Sequence, residues 1–123
     1  PEAVKVYSTS VFSASVAGME DQVNITIEEG AGTSTGSFSS CAGFAPGTTL
    51  VDGEQLSAWH GRATSYSTGD GNWNPGLGPD QTRMYRITLE LDLATDNTYQ
   101  GASLSGINIS WETQSRPTPR LVP

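Results

Sequence analysis

An all-β fold, a two-sheet antiparallel β-sandwich of the jelly-roll or immunoglobulin-like kind, is what this sequence predicts. Three observations predict it. Apolar and polar residues alternate with a period of two in several separate runs. Gly, Asn, Asp and Pro cluster between those runs, where turns need them. No stretch carries a sustained 3.6-residue apolar repeat, and only residues 55–60 could close one helical turn.

The elements follow in chain order. Residues 4–8, starting at Val4-Lys5-Val6-Tyr7, form a weak strand, and residues 11–16 form another. In residues 23–28, Val23, Ile25 and Ile27 fall on one face while Asn24, Thr26 and Glu28 fall on the other. Residues 30–36 read as a flexible Gly/Ser/Thr loop. Asp52-Gly53, between Thr49-Leu50-Val51 and Glu54-Gln55-Leu56, is the signal of a two-residue hairpin turn, which needs positive φ. A long connection rich in Gly, Asn and Pro covers residues 65–81. The best alternation spans residues 84–93: Tyr85, Ile87, Leu89, Leu91 and Leu93 face the core, and Arg86, Thr88, Glu90 and Asp92 face water. A last strand sets Ile107, Ile109 and Trp111 against Asn108, Ser110 and Glu112. Residues 1–115 are therefore expected to be one domain, and residues 116–123 a Pro-rich tail or linker.

Charge narrows the function classes. Thirteen acidic and six basic residues leave a net charge of −7, and the basic ones are scattered rather than clustered. Contact with nucleic-acid phosphates needs clustered Lys and Arg, so no nucleic-acid partner is expected. No run approaches the roughly 20 apolar residues of a membrane-spanning helix. The Ser, Thr, Asn and Gly excess is typical of exported β-proteins. The single cysteine, Cys41, cannot form an internal disulfide. Pro1-Glu2-Ala3 has no signal-peptide character, and the immediate start in a strand suggests a processed or truncated chain.

Few residues offer chemistry. His60 is the only histidine, so no histidine-based zinc-protease motif can be assembled. A Cys41–His60 dyad is one reading; a small buried thiol beside a surface-loop histidine is the other. Glu28 and Glu29 are adjacent in a strand and point to opposite faces, so they cannot flank one bond. Asp70, Asn72 and Asn74 have the spacing of the start of a calcium loop, but Pro75 and Gln81 stand where that motif wants glycine and a bidentate glutamate. The same residues also suit an ordinary turn-rich loop. Asp92 and Asp96 offer no better cation site. Tyr66, Trp73 and Trp59 lie in or near loops, where they could stack on sugars, or where Trp73 could cap the open end of the sandwich. Asn24-Ile25-Thr26 and Asn108-Ile109-Ser110 match the glycosylation sequon but lie within expected strands.

Several stretches together resemble one family. Asp96-Asn97-Thr98-Tyr99-Gln100-Gly101-Ala102-Ser103-Leu104, followed by Ile107-Asn108-Ile109-Ser110-Trp111-Glu112-Thr113-Gln114, is similar to the C-terminal signature of TasA/camelysin-type secreted proteins. Trp73-Asn74-Pro75-Gly76 ahead of Arg83-Met84-Tyr85-Arg86-Ile87-Thr88-Leu89 resembles a strand entry of that family. Val23-Asn24-Ile25-Thr26-Ile27-Glu28-Glu29-Gly30, Ser40-Cys41-Ala42-Gly43-Phe44-Ala45-Pro46 and Thr48-Thr49-Leu50-Val51-Asp52-Gly53, running on to Leu56, resemble earlier parts of its actinobacterial branch. The resemblance spans roughly residues 4–114.

It implies an extracellular, cell-surface protein with a jelly-roll-like sandwich. Family members can assemble into biofilm-matrix fibres in which an N-terminal strand of one subunit completes the sheet of the next. Some members also carry a metallo-endopeptidase label. The family's opening strands do not precede Pro1, so the sandwich is expected to lack its first strands and to expose an edge and an apolar groove. The expected function is a non-enzymatic surface or matrix protein whose partners are copies of itself or related subunits. Val4, Val6 and Phe12 are its candidate assembly residues. The alternative is a carbohydrate-binding or adhesive module using Trp73 and Tyr66, with glycans as partners. A hydrolase ranks third. No cofactor is expected, with calcium the one open possibility.

Overall fold

Alternation does build strands here. The computed structural model of the chain describes residues 2–32, 40–76 and 81–115. Among them the order is β1 (Lys5–Ser8), β2 (Ser13–Ala14), β3 (Val23–Gly32), β4 (Phe44–Gln55), helix α1 (Leu56–Arg62), β5 (Met84–Leu91), β6 (Leu104–Ser105) and β7 (Ile109–Glu112). Short 3-10 turns lie at Met19–Asp21, Tyr66–Thr68 and Asn97–Tyr99. The expected Pro-rich tail, and residues 33–36 of the expected loop, lie outside the described residues. No helix among the described residues is long and apolar enough to cross a membrane.

All pairings are antiparallel. The strands form a three-stranded sheet ordered β4-β3-β5 and two two-stranded ladders, β1-β7 and β2-β6. The fold is thus all-β and sandwich-like, but with open sheets rather than two continuous ones. The β1-β7 ladder lies across the three-stranded sheet. Val6 from β1 meets Ile25 and Ile27 from β3 and Val51 from β4, with Leu56, Trp59 and Ala63 from the α1 region closing the cluster. These residues are 0–3% exposed. Burying side chains of this size contributes roughly 1.5–3 kcal/mol each, which makes this small cluster the chief source of cohesion.

Four expectations need correction. Asp52-Gly53 does not turn a hairpin but lies inside β4. There Ile25 pairs with Glu54 and Ile27 with Val51, so three steps on β4 face two on β3. The extra residue is a β-bulge: Gly53 takes φ 61° and its N–H donates to the Thr26 hydroxyl at 3.0 Å. The Asp-Gly pair supplies positive φ in both devices, so pairing rather than local preference decided between them.

Trp59, expected near a loop, sits on α1 and is fully buried. Its run, Leu56-Ser57-Ala58-Trp59, has too few residues to show a helical period, and the helix exists because Leu56 and Trp59 drop into the core.

The third and fourth corrections share a cause. The apolar face of residues 84–93 is only half covered: Tyr85 and Ile87 are half-buried, while Leu89, Leu91 and Leu93 are 46%, 53% and 103% exposed. Trp111, on the inward face of β7 opposite Val6, is 44% exposed. The upper layer is a ladder of four-residue strands, too short to span β3 and β5 along their length.

Candidate functional site: the outer edge of the three-stranded sheet

Strand β5 pairs with β3 from Val23↔Leu91 to Gly30↔Met84 without a break in register. Residues directly opposite one another share a face. Arg86, Thr88 and Glu90 therefore stand with Glu28, Thr26 and Asn24, and Tyr85, Ile87, Leu89 and Leu91 stand with Glu29, Ile27, Ile25 and Val23. Beyond the strand, the Asp92 N–H continues the ladder to the Gln22 carbonyl at 2.8 Å. By the alternation of antiparallel pairing, even-numbered residues of β5 turn their backbone polar groups toward β3 and odd-numbered ones turn theirs outward. No described strand pairs with that outer side.

Each face of the edge is fixed by a side-chain pair. On the polar face, Arg86 donates from Nε and Nη2 to the two carboxylate oxygens of Glu28, both at 2.9 Å. Those hydrogen bonds hold the Glu28 carboxyl below its usual range and the Arg86 guanidinium above its own. The Phe44 ring lies 4.9 Å beneath the guanidinium. On the other face, the Tyr85 hydroxyl donates to Glu29 at 2.7 Å. Burial, with that hydrogen bond and the nearby charge, pushes the phenol far above its ordinary value. Trp111 meets Tyr85 edge-on at 5.6 Å between ring centres. The opposite-face reading of Glu28 and Glu29 is what these pairs show. The result is an edge with fixed backbone groups, one charged face and one exposed apolar face of Leu89, Leu91 and Trp111.

The residues expected to carry assembly sit elsewhere. Val6 is a core residue, and its strand is held on both sides: by β7, and by paired backbone hydrogen bonds to Asp70 of 2.8 and 2.9 Å. Val4 donates its N–H to the Trp73 carbonyl at 2.7 Å. The Phe12 ring packs at a tilt against His60, with ring centres 4.5 Å apart.

The aromatic candidates are half-buried and held by their neighbours. The Tyr66 hydroxyl donates to the Ala3 carbonyl at 2.6 Å under Lys5, whose ammonium is 5.2 Å from the ring centre. The Trp73 ring carries Arg83 at 5.2 Å. Tyr66 also lines an open cleft with Tyr7, Ser65, Glu112 and Gln114. The Tyr7 hydroxyl and the Gln114 amide both donate to Glu112, at 2.7 and 2.9 Å, and lower its pKa.

The calcium candidates have other uses. Asp70 accepts from Trp59 Nε1 at 3.0 Å and from Arg62 at 3.0 and 3.1 Å, so both its oxygens are engaged. The Asn74 side-chain oxygen accepts from the Gly76 N–H at 2.8 Å in a local turn, and Asn72 is exposed. Among the described residues no group of three or more His, Cys, Asp or Glu converges on a point.

Cys41 is exposed, and His60 pairs instead with Ser8, whose hydroxyl lies 2.9 Å from Nδ1. Sequence reasoning missed that pair because Ser8 is a strand residue 52 positions away. Ser8 is 4% exposed, so its hydroxyl is closed to a substrate. No carboxylate among the described residues bonds the ring's other nitrogen. The alternation did hold a sign of the edge itself, in the excess of leucines over what a four-residue covering strand can bury.

No family model matches the chain, and neither a curated protein nor a solved structure is significantly similar to it.

Proposed function

We propose that this chain is a non-enzymatic, extracellular structural subunit that associates with copies of itself by adding strands at a sheet edge. The observation that carries the reading is β5: eight residues in unbroken register, with an outer side that no strand among the described residues pairs, and Leu89 and Leu91 exposed beside it. Long, flat, apolar edges template pairing with another chain, and proteins that stay apart blunt them. Strand β4, the sheet's other edge strand, shows such blunting in Pro46 and the bulge at Gly53, whereas β5 carries no proline, glycine or bulge. The resemblance to matrix-forming TasA/camelysin-type proteins points the same way. Because β1 is used within the chain, the proposed contact lies at β5 rather than at Val4, Val6 and Phe12.

Sedimentation velocity and negative-stain imaging over a concentration series test the reading. Self-association that rises with concentration is expected, and Leu89→Lys should abolish it while leaving the circular dichroism unchanged. A wild-type chain that stays monomeric throughout contradicts it. One observation favours glycan binding as a second reading: the cleft under Tyr66 pairs two aromatic rings with a carboxylate and an amide. Oligosaccharide titration followed by Tyr66→Ala decides that point.

A further inference from the structure

The sequence of β5 is close to self-complementary when read against itself in reverse. Two copies can meet antiparallel at this edge only in registers that keep like faces together, since a one-residue slip either way would set Tyr85 against a carboxylate, Glu90 or Asp92. In the register centred on Thr88, that residue faces its own copy, Ile87 faces Leu89, Arg86 faces Glu90, and Tyr85 faces Leu91.

Two features select this register over its neighbours. Arg86 spends Nε and Nη2 on Glu28, which leaves Nη1 for a further acceptor, and Glu90 is an exposed carboxylate on the same face. A shift of two residues toward the C-terminus would offer Arg86 to Asp92, but Asp92 already caps its own turn by accepting from the Ala94 N–H at 2.9 Å. The opposite shift sets Arg86 against Thr88 and leaves Glu90 facing Met84. The backbone agrees, because the outward-turned groups are those of Tyr85, Ile87, Leu89 and Leu91. Paired with the same residues of the second copy, they close about eight ladder hydrogen bonds.

Resting on the self-association proposed above, we infer that β5 forms a two-fold symmetric contact with β5 of a second copy, in the register that sets Thr88 against itself. The partner is another copy of this chain, chosen by charge: each Arg86 meets a Glu90, and the apolar rows meet on the other face. Three strands from each copy become one continuous sheet of six. Leu91 of the second copy comes beside Tyr85, and therefore near Trp111.

Disulfide trapping tests the register. Thr88 is exposed and would form a non-hydrogen-bonded pair, with Cα atoms about 4.5 Å apart, inside the roughly 4.4–6.8 Å that a disulfide spans. Cys41 is first replaced by serine, since it is exposed. Thr88→Cys is then expected to oxidise almost completely to a reducible dimer. Glu90→Cys, on the same face but offset from its own copy, should give several-fold less. If wild-type chains associate but Glu90→Cys links as well as Thr88→Cys, or neither links, the register is overturned while self-association stands. If wild-type chains stay monomeric at every concentration, both proposals fall. Circular dichroism of each variant before oxidation confirms the fold.

Discussion

At the residue scale, Asp70 and Tyr85 show how polar groups fix an all-β chain with so small a core. Asp70 touches three elements at once: its carboxylate takes the indole N–H of buried Trp59, binds Arg62 at the end of α1, and its backbone bridges to Val6. Arg62 in turn holds Glu54 of β4 with two hydrogen bonds of 2.8 and 3.2 Å. Asp70→Ala leaves a buried indole donor unsatisfied, so an expected loss of about 1–3 kcal/mol should appear in urea unfolding, with little change in slope. Tyr85→Phe removes the donor from Glu29, a carboxylate only 5% exposed, and a similar loss of about 1–3 kcal/mol is expected. A neutral result for Tyr85→Phe would mean that Glu29 finds water instead. Neither partnership was legible in the sequence. Asp70 read as a calcium ligand because its spacing to Asn72 and Asn74 is local, whereas Trp59 and Arg62 reach it only through the fold.

At the element scale, the strong alternations translated into strands and the weak ones shrank. Residues 23–28 and 84–93 became β3 and β5, whereas the run 11–16 kept only the two residues of β2. Alternation reports which face is apolar, not whether another layer covers it, and so Leu89, Leu91 and Leu93 were expected inside. Coverage depends on the length of the opposing ladder, a tertiary quantity. The β3-β4 contact has its own requirement at Gly30, where a Cβ would collide with the backbone carbonyl of Ala45. Since that neighbour is main chain, it cannot swing aside. Gly30→Ala should cost roughly 3 kcal/mol or more, at the upper end of single substitutions, and should loosen the paired ends of β3 and β4 first. Hydrogen exchange resolved along β3 would show it; protection retained at Glu29 and Ala31 would contradict it.

At the scale of the whole molecule, charge is expected to govern both stability and the proposed association. Glu28 and Glu112 have pKa values lowered by their hydrogen bonds, Glu28 to Arg86 and Glu112 to Gln114 and Tyr7. A carboxylate with a depressed folded-state pKa stabilises the fold above its ordinary value of about 4.5 and loses that contribution as pH falls through the folded value. The melting temperature should therefore hold steady from neutral pH down to about 5 and fall below it, with a shallower fall for Glu28→Gln. Association should respond differently over the same range. Copies of net charge −7 repel one another, and that repulsion shrinks toward the isoelectric point near 4.4. Oligomers should therefore strengthen between about pH 7.5 and about pH 5, before acid weakens the fold itself. The acidic balance and the all-β class were plain from composition and alternation alone. That β5 would stand at an edge was not, because that depends on the pairing order β4-β3-β5, which only the fold decides.

The most direct test of the central claim is residue-resolved amide hydrogen exchange along β5, in dilute and in concentrated solution. The Arg86, Thr88 and Glu90 amides, bonded to β3, should be protected at both concentrations. Those of Ile87, Leu89 and Leu91 should exchange freely when dilute and become protected as copies pair. Free exchange of the odd-numbered amides at every concentration would show that β5 has no partner, and the edge would cease to be the site of assembly.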